Sequence, residues 1–361
     1  MRYYIISGEN SGDMHAANLV SELKNIDNCA SFRAWGGDKL LLEKVSLAKH
    51  IKETSFMGIW SVFKNLPKIY QNLKFCKKDI INFNPNAIIL VDYPGFNLKI
   101  AEFAKKNSFK VFYYISPKLW AWNKSRITTI KKYVDHLLVI FPFEVEFYKR
   151  HNLDVLYVGN PLLDEIKKKQ FNFSIVSKKP IFALLPGSRK QEINAILPNM
   201  LSIVDSFPHY QFIIAGTKLF TDKYYNSLIK DSNVILIKDE TYGLLDNAKF
   251  ALVTSGTATL EAALFKVPQI VCYKTSWLTY FIAKMVVKIK HISLVNIILE
   301  KLAVQELIQS KLNKNNLISE TKKMMNNNQD MLNDYNDLIN MLDKKGASKN
   351  TGKFIYNSIS I

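Results

Sequence analysis

This chain of 361 residues lacks several features that would define a class of protein. Its three cysteines, Cys29, Cys76 and Cys272, stand far apart, so they suit neither a disulfide framework nor a zinc site and fit a reducing cytoplasm. No apolar run reaches the roughly 18 residues of a membrane-spanning helix. The N-terminus lacks the apolar core of a signal peptide. We therefore expect a cytoplasmic protein, either soluble or peripheral to a membrane.

Common nucleotide and metal motifs are missing too. Residues 7–13 have neither the Gly-Lys-Ser/Thr ending of a phosphate loop nor the G-x-G-x-x-G spacing of a dinucleotide fold, which disfavours an ATPase and a dehydrogenase. There is no Asp-x-Asp pair and no histidine pair at helical spacing, so we expect chemistry without a metal or cofactor. No RNP, zinc-finger or arginine-rich signature favours nucleic acid.

Basic residues, by contrast, are in excess. The chain has 49 Lys and Arg against 31 Asp and Glu, a formal net charge of +18. This balance indicates an anionic partner, such as nucleic acid, phospholipid or a phosphorylated substrate, and does not choose among them. With 48% hydrophobic residues the chain is globular, and its length predicts two domains.

Short apolar runs alternate with helical segments along the chain. The predicted strands are residues 3–6, 87–91, 111–114, 137–140, 155–158, 182–185, 211–215, 234–237, 250–253 and 269–273. Continuous apolar strands are typical of parallel sheets covered by helices on both faces. We therefore predict an α/β fold with two Rossmann-like domains whose sites face a central cleft.

The polar connector near residues 164–180 marks the boundary between the two halves. The predicted domains are residues 1–165 and 166–310. A third segment, residues 311–361, should contain helices near 317–325 and 330–342 and a mobile or extended tail beyond Lys344.

The most informative segment is residues 252–261, an apolar strand followed by Ser255, Gly256 and Thr257 and a helix with an early Glu261. Amide groups at a helix N-terminus attract an anionic diphosphate, and small residues let the backbone approach it. A glutamate repels phosphate, so we expect Glu261 to accept hydrogen bonds from a ribose diol. The alternative is that Ser255 or Thr257 is only an N-cap and Glu261 a favourable first-turn charge.

A second strand-to-helix turn contains Gly187, Ser188 and Arg189. The glycine frees the backbone, the serine can cap the helix, and the arginine can grip two phosphate oxygens. A surface arginine is usually only solvated, but its place at a predicted helix start favours phosphate binding.

Two further turns carry carboxylates. Asp92 follows the apolar run 87–91, where partial burial can raise its pKa and make it a usable base. The alternative is a turn-forming aspartate beside Pro94. In residues 7–13, Glu9 and Asp13 suit sugar hydroxyl groups, although Asp13 could equally be an N-cap.

Two aromatic segments, residues 56–68 and 277–288, combine apolar bulk with lysines. Buried core is the commoner explanation of such segments. Interfacial contact with anionic lipid is the alternative.

Ten motifs together resemble bacterial lipid-A-disaccharide synthases, glycosyltransferases of the two-Rossmann-domain GT-B type. They are SGENSGD (7–13), MG (57–58), VDYPGFN (91–97), YISPKLWAW (114–122), PFE (142–144), VGNP (158–161), LPGSR (185–189), SGTATLE (255–261), SLVN (293–296) and ELIQ (306–309). Each motif is weak alone, but their joint order is specific.

The resemblance implies an inverting transfer. The family joins UDP-2,3-diacylglucosamine to 2,3-diacylglucosamine 1-phosphate (lipid X), giving a β-1,6-linked disaccharide 1-phosphate and UDP. One displacement by the acceptor 6-hydroxyl needs one base, and Asp92 holds the matching position. The implied nucleotide residues are Gly187, Ser188, Arg189, Ser255, Gly256, Thr257, Glu261, Asn296, Glu306 and Gln309. The implied acceptor residues are Glu9, Ser11, Gly12, Asp13, Met57, Trp120 and Trp122.

The chain departs from the family pattern at four positions. Ala16, Ser61, Asn160 and Val295 replace a usual glycine, glutamate, histidine and proline, respectively. These departures put in doubt the transfer of family roles to Ser61, Asn160 and Val295, whereas Asp92, Arg189 and Glu261 are intact.

The resemblance also implies partners. Acylated, phosphorylated substrates place the protein on the anionic inner-membrane surface, with no nucleic acid. Family members exchange C-terminal segments within a dimer, so residues 311–361 either pack back on the first domain or are exchanged in a homodimer. The alternatives are a peptidoglycan N-acetylglucosaminyltransferase, a UDP-sugar epimerase, or a non-catalytic nucleotide- or membrane-binding protein.

Overall fold

The computed structural model describes residues 1–53, 66–120, 125–166, 171–229, 233–286 and 290–360. The chain forms two compact units. Unit 1 comprises Met1–Asp164 and Leu342–Ile361, and unit 2 comprises Glu165–Met341.

Unit 1 is built on a seven-stranded parallel sheet in the order β3-β2-β1-β4-β5-β6-β7. Its strands are β1 (Arg2–Ser7), β2 (Ser31–Gly36), β3 (Ser46–His50), β4 (Ala87–Val91), β5 (Lys110–Tyr114), β6 (His136–Val139) and β7 (Leu156–Tyr157). Its helices are α1 (Asn10–Ile26), α2 (Asp38–Leu42), α3 (Leu66–Phe83), α4 (Pro94–Lys106), α5 (Arg126–Tyr133), α6 (Pro142–Lys149) and α7 (Pro161–Ile166). All five residues of β4 are buried, as expected for a strand covered on both faces.

Unit 2 repeats this plan with a six-stranded parallel sheet in the order β10-β9-β8-β11-β12-β13. The strands are β8 (Ile181–Leu185), β9 (Gln211–Gly216), β10 (Val234–Lys238), β11 (Ala248–Thr254), β12 (Gln269–Tyr273) and β13 (Gln305–Ile308). The helices are α8 (Lys190–Leu201), α9 (Asp222–Asn226), α10 (Thr241–Asn247), α11 (Thr257–Leu264), α12 (Trp277–Val286), α13 (Leu294–Leu299), α14 (Lys314–Asn326) and α15 (Gln329–Leu342).

The predicted parallel α/β class is confirmed, and each predicted strand coincides with an observed one. The pattern missed β2, β3 and β13. Strand β3 has only two apolar residues, Leu47 and Ala48, and none of its residues is fully buried, so this edge strand lacks the continuous apolar run on which the prediction relied.

The end of the chain differs from the prediction of a mobile or extended tail. Residues Ala347–Ile359 form a helix, α16, which packs on unit 1. The Asn350 amide donates to the Val158 carbonyl at 3.0 Å, and the Phe354 ring meets the edge of Phe112. The sequence did not indicate this helix because most of the residues that it buries are small or polar: Ala347, Ser348, Thr351, Gly352 and Ile355.

In the second aromatic segment, three large apolar side chains are exposed, which disfavours the core explanation. On α12, Trp277, Phe281 and Met285 are 67%, 64% and 66% exposed. Most of the first segment lies outside the described residues. Among those that are described, no helix is long and apolar enough to cross a membrane.

Candidate functional site

The carboxyl edge of the unit 1 sheet brings two predicted turns together. Strands β1 and β4 are neighbours, with Ser7 beside Val91, and the strand order reverses between them. In open parallel sheets, this switch point opens a crevice in which ligands bind. The turn that begins with Gly8 and Glu9 therefore lies against the turn that begins with Asp92.

Asp92 has the environment of a general base. It is partly buried, and the pKa of its carboxyl is raised to about 6, chiefly by burial and also by the Glu9 carboxylate, while Lys118 and the Tyr93 amide oppose the shift. Asp92 and Tyr93 both have left-handed backbones, at φ 47° and 50°. Two consecutive non-glycine residues in this region store strain, which in proteins is concentrated at functional sites.

The Asp92 turn is held by buried side chains. The Tyr113 hydroxyl and the Asn97 amide donate to the Asp92 carbonyl at 2.6 and 2.7 Å. The Tyr93 ring covers Gly8 so closely that a Cβ there would lie 2.3 Å from it. These contacts fix the strained backbone while leaving the Asp92 carboxyl for chemistry.

The remaining acceptor residues of turn 7–13 differ in exposure. Ser11 is exposed and Gly12 is buried. Asp13 lies inside the first turn of α1 and is therefore not its N-cap. Its buried carboxylate accepts from the amides of Gly37 and Lys39 at 2.6 and 2.9 Å, so it holds the start of α2. Substrate contact by Glu9, Ser11, Gly12 and Asp13 stays a prediction.

A buried carboxyl beside this edge was not assigned a role from the sequence. Glu144, 1% exposed, accepts from the Ser116 hydroxyl at 2.6 Å and from the amides of Ile140 and Phe141 at 3.2 and 3.1 Å. Burial raises its pKa to about 7 against these hydrogen bonds. The sequence does show the spacing of a capping box, because Glu144 lies three positions after Phe141, the residue that precedes the helix.

Glu144 joins the turns after β5 and β6, and the predicted acceptor residue Trp120 lies close to it. The indole of Trp120 lowers the pKa of Glu144, and its ring meets the edge of Phe143 with centroids 5.3 Å apart. The other two aromatic and apolar acceptor predictions, Trp122 and Met57, lie outside the described residues.

In unit 2, the strand order also reverses, between β8 and β11, where Leu185 pairs with Val253. The Arg189 and Ser255 turns therefore meet at one carboxyl edge. Gly187 has φ +104°, and a Cβ there would lie 2.6 Å from the Glu192 carboxylate and 3.3 Å from the Thr254 methyl group. Only glycine fits this junction.

Arg189 stands at the N-cap position of α8, and its side chain is 55% exposed. Its guanidinium donates to Glu192 in the same helix at 3.1 Å. The prediction that Ser188 caps the helix is wrong, since Arg189 is the residue before the first helical turn. The available guanidinium donors still suit a diphosphate.

The turn after β11 begins α11 without a side-chain cap. Gly256 is the N-cap, so the alternative in which Ser255 or Thr257 caps the helix is wrong. The Ser255 hydroxyl instead donates to the Ile292 carbonyl at 2.8 Å. Small residues consequently leave the helix N-terminus open to an anion.

Glu261 lies in the second turn of α11, so it is not a favourable first-turn charge. Burial raises its pKa to about 7, against a hydrogen bond donated by the Tyr242 hydroxyl at 3.4 Å. Stabilisation of the helix N-terminus therefore does not explain Glu261, and its carboxyl can accept hydrogen bonds from hydroxyl groups. Ribose contact stays a prediction.

The three residues predicted to assist nucleotide binding form hydrogen bonds within the protein. Asn296 donates to Glu306 at 2.9 Å, and Glu306 accepts from the Ser293 amide at 2.8 Å. Gln309 accepts from the Thr275 amide at 2.8 Å and donates to its carbonyl at 3.1 Å. Asn296, Glu306 and Gln309 thus shape the segments next to the Ser255 turn, and direct nucleotide contact stays a prediction.

No cluster of three or more histidine, cysteine or carboxylate side chains that could hold a metal is found in the described part of the chain. The charged groups at the two edges include the Asp92 carboxyl in unit 1 and the Arg189 guanidinium in unit 2. The first can accept a proton and the second can bind an anion.

Solved structures of sugar-nucleotide enzymes share this architecture. A UDP-GlcNAc 2-epimerase from Neisseria meningitidis, bound to UDP-GlcNAc, matches with a TM-score of 0.65 at 13% identity and covers 100% of both chains. The kitacinnamycin glycosyltransferase matches with a TM-score of 0.68 at 10% identity, over 99% of both chains. The fold is thus the GT-B fold of glycosyltransferases and UDP-sugar epimerases.

Sequence comparison distinguishes between the glycosyltransferases and the epimerases that share this fold. The lipid-A-disaccharide synthetase family matches residues 3–355. The lipid-A-disaccharide synthase of Syntrophus aciditrophicus is 37% identical over 329 residues, covering 88% of this chain and 86% of that protein. The one from Coxiella burnetii strain CbuK_Q154 is 33% identical and covers 98% of both chains. The chain belongs to the lipid-A-disaccharide synthetase family and is a glycosyltransferase, which confirms the predicted family and enzyme class.

Proposed function

We propose that this protein transfers diacylglucosamine from UDP-2,3-diacylglucosamine to the 6-hydroxyl of 2,3-diacylglucosamine 1-phosphate. The products are the β-1,6-linked lipid A disaccharide 1-phosphate and UDP. The observation that carries the proposal is the family match along almost the whole chain, residues 3–355. The same match disfavours the epimerase, the peptidoglycan transferase and the non-catalytic protein.

Asp92 is the proposed base. Its carboxylate takes the proton of the acceptor 6-hydroxyl as that oxygen bonds to the anomeric carbon of the donor. The bond from this carbon to the UDP oxygen breaks on the opposite face, and UDP keeps the electron pair. A pKa of about 6 suits this task, because the carboxyl is mostly ionised at neutral pH yet more basic than an ordinary aspartate.

Unit 2 is the proposed donor side. Arg189 and the N-terminus of α11 stabilise the charge that develops on the departing diphosphate, which requires no metal. Glu261 accepts hydrogen bonds from the ribose. Support comes from the shared edge of the Arg189 and Ser255 turns and from the position of Glu261 beyond the first helical turn.

The proposed location is the cytoplasmic face of the anionic inner membrane, where acylated substrates reside. The net charge of +18 supports attraction to such a surface. We also propose a homodimer that exchanges α16, since its contacts with unit 1 would be the same with a partner chain. Sedimentation of the full chain at micromolar concentration should give a dimer, and a monomer throughout would contradict the exchange.

The decisive assay supplies the purified protein with both diacylated sugars. We expect UDP release and a product whose mass equals that of the disaccharide 1-phosphate, with a β-anomeric proton by NMR. Unacylated UDP-sugar is the control donor. If a folded sample yields no disaccharide, or uses the unacylated donor equally well, the proposed function fails.

A further inference from the structure

The exposed face of α12 has no role in the proposed chemistry. Trp277, Phe281 and Met285 follow one another at four-residue spacing, so they lie on one face of the helix, and each is about two-thirds exposed. Other large exposed apolar residues of unit 2, such as Val176, Leu219 and Leu302, come from separate places in the chain. Single exposed apolar residues are ordinary, whereas a contiguous stripe marks an interaction surface.

The stretch of sequence that contains this helix carries charge of one sign. From Lys274 to Leu299 the sequence contains Lys274, Lys284, Lys288 and Lys290 and no aspartate or glutamate. Lys290 is exposed and Lys274 is partly buried. An apolar stripe among lysines matches an anionic lipid surface, where apolar rings enter the acyl region and ammonium groups meet phosphates.

The helix begins close to the donor side. Strand β12 ends at Tyr273, and its residue Cys272 pairs with Thr254 beside the Ser255 turn. Gln309 holds Thr275, just before α12, through two hydrogen bonds. The exposed face is thereby fixed at the sheet edge that carries the predicted nucleotide residues.

We propose that α12 docks unit 2 on an anionic bilayer, with Trp277, Phe281 and Met285 inserted among the lipids. This inference rests on the proposed function, because a donor with two acyl chains reaches the protein from such a bilayer. A second copy of the chain fits the face less well, because the lysines of this segment would then meet the same lysines of the other copy.

Vesicle sedimentation tests the proposal. The wild-type chain, a Trp277→Ser, Phe281→Ser, Met285→Ser variant and a Val176→Ser, Leu219→Ser, Leu302→Ser control are mixed with phosphatidylglycerol-rich vesicles or with phosphatidylcholine vesicles. We expect the wild type and the control to bind the anionic vesicles, and the α12 variant to bind at least about tenfold more weakly. Wild-type binding to the neutral vesicles should be weaker.

Two results would overturn the proposal. One is equal vesicle binding by the wild type and the α12 variant, with both folded by circular dichroism. The other is a wild-type oligomer that the α12 variant loses in lipid-free sedimentation, which would show that the face binds a second copy. UDP release by the wild type from detergent-dispersed substrates tests the proposed function separately, because this assay requires no bilayer.

Discussion

The sheet edge that carries Asp92 and the one that carries Arg189 are built at equivalent switch points but treat charge differently. In unit 1, burial raises the pKa of the Asp92 and Glu144 carboxyls, and strained non-glycine backbone presents Asp92. In unit 2, the Arg189 side chain is 55% exposed, and a glycine takes the left-handed position. Strained non-glycine backbone therefore presents the proposed base, whereas the proposed anion-binding cation stays accessible to solvent.

The largest expected effect comes from Asp92→Asn, which removes the proton acceptor while preserving the shape of the side chain. We expect turnover to fall about a thousandfold with a much smaller change in KM. In the wild type, kcat/KM should rise with pH and level off above about 6, because the ionised carboxylate is the active form. Asp38→Asn, at an exposed ion pair, is the control; an Asp92 variant as fast as this control would remove Asp92 as the base.

Gly187→Ala tests whether the junction of unit 2 requires glycine. The added Cβ would meet Glu192 and force an alanine into the left-handed region, so we expect a loss of about 2 kcal/mol in the free energy of unfolding. Urea unfolding measures it. Gly95→Ala is the control because a Cβ there meets no atom within 4 Å, and equal stability of the two variants would refute the strain.

Arg189→Ala should weaken UDP binding about tenfold, since it removes charge-assisted hydrogen bonds to the diphosphate. Titration calorimetry with UDP measures the affinity. The matched control is Arg150→Ala, which removes another exposed arginine paired with a glutamate of its own helix. A loss of turnover with unchanged UDP affinity would place Arg189 on the proton-transfer side and reverse the contrast between the edges.

Glu144→Gln should change how the free energy of unfolding depends on pH. Because burial raises the pKa of Glu144 from 4.5 to about 7, the folded protein binds this proton more tightly than the unfolded chain does. Its contribution to stability is present at low pH and is lost as pH rises through that window. Between pH 5 and 8 the wild type should therefore lose about 2 kcal/mol more than the variant in urea unfolding. The control is Glu146→Gln, which changes an exposed glutamate of the same helix. Its free energy of unfolding should decrease with rising pH as that of the wild type does.

The sequence revealed the parallel sheets because their strands are continuous apolar runs, and it made Asp92 and Arg189 candidates because each follows such a run. It could not reveal Glu144, whose importance depends on Ser116 and Ile140 from two other turns. The same limit applies to Asp13, which resembled an N-cap of its own helix but caps α2 instead. Long-range partners decide these roles, and a single sequence does not contain them.

The return of α16 to unit 1 has a consequence for synthesis on the ribosome. Unit 2 lies wholly between two pieces of unit 1, so its last residue, Met341, is made before α16 exists. Unit 2 can thus complete its fold during translation. Unit 1 cannot do so until α16 has been made, and until then the sheet face around Phe112 and Tyr114 is exposed to solvent. A message truncated after Leu342 would yield a finished second unit joined to an unfinished first one, which gives quality control a hydrophobic surface to recognise.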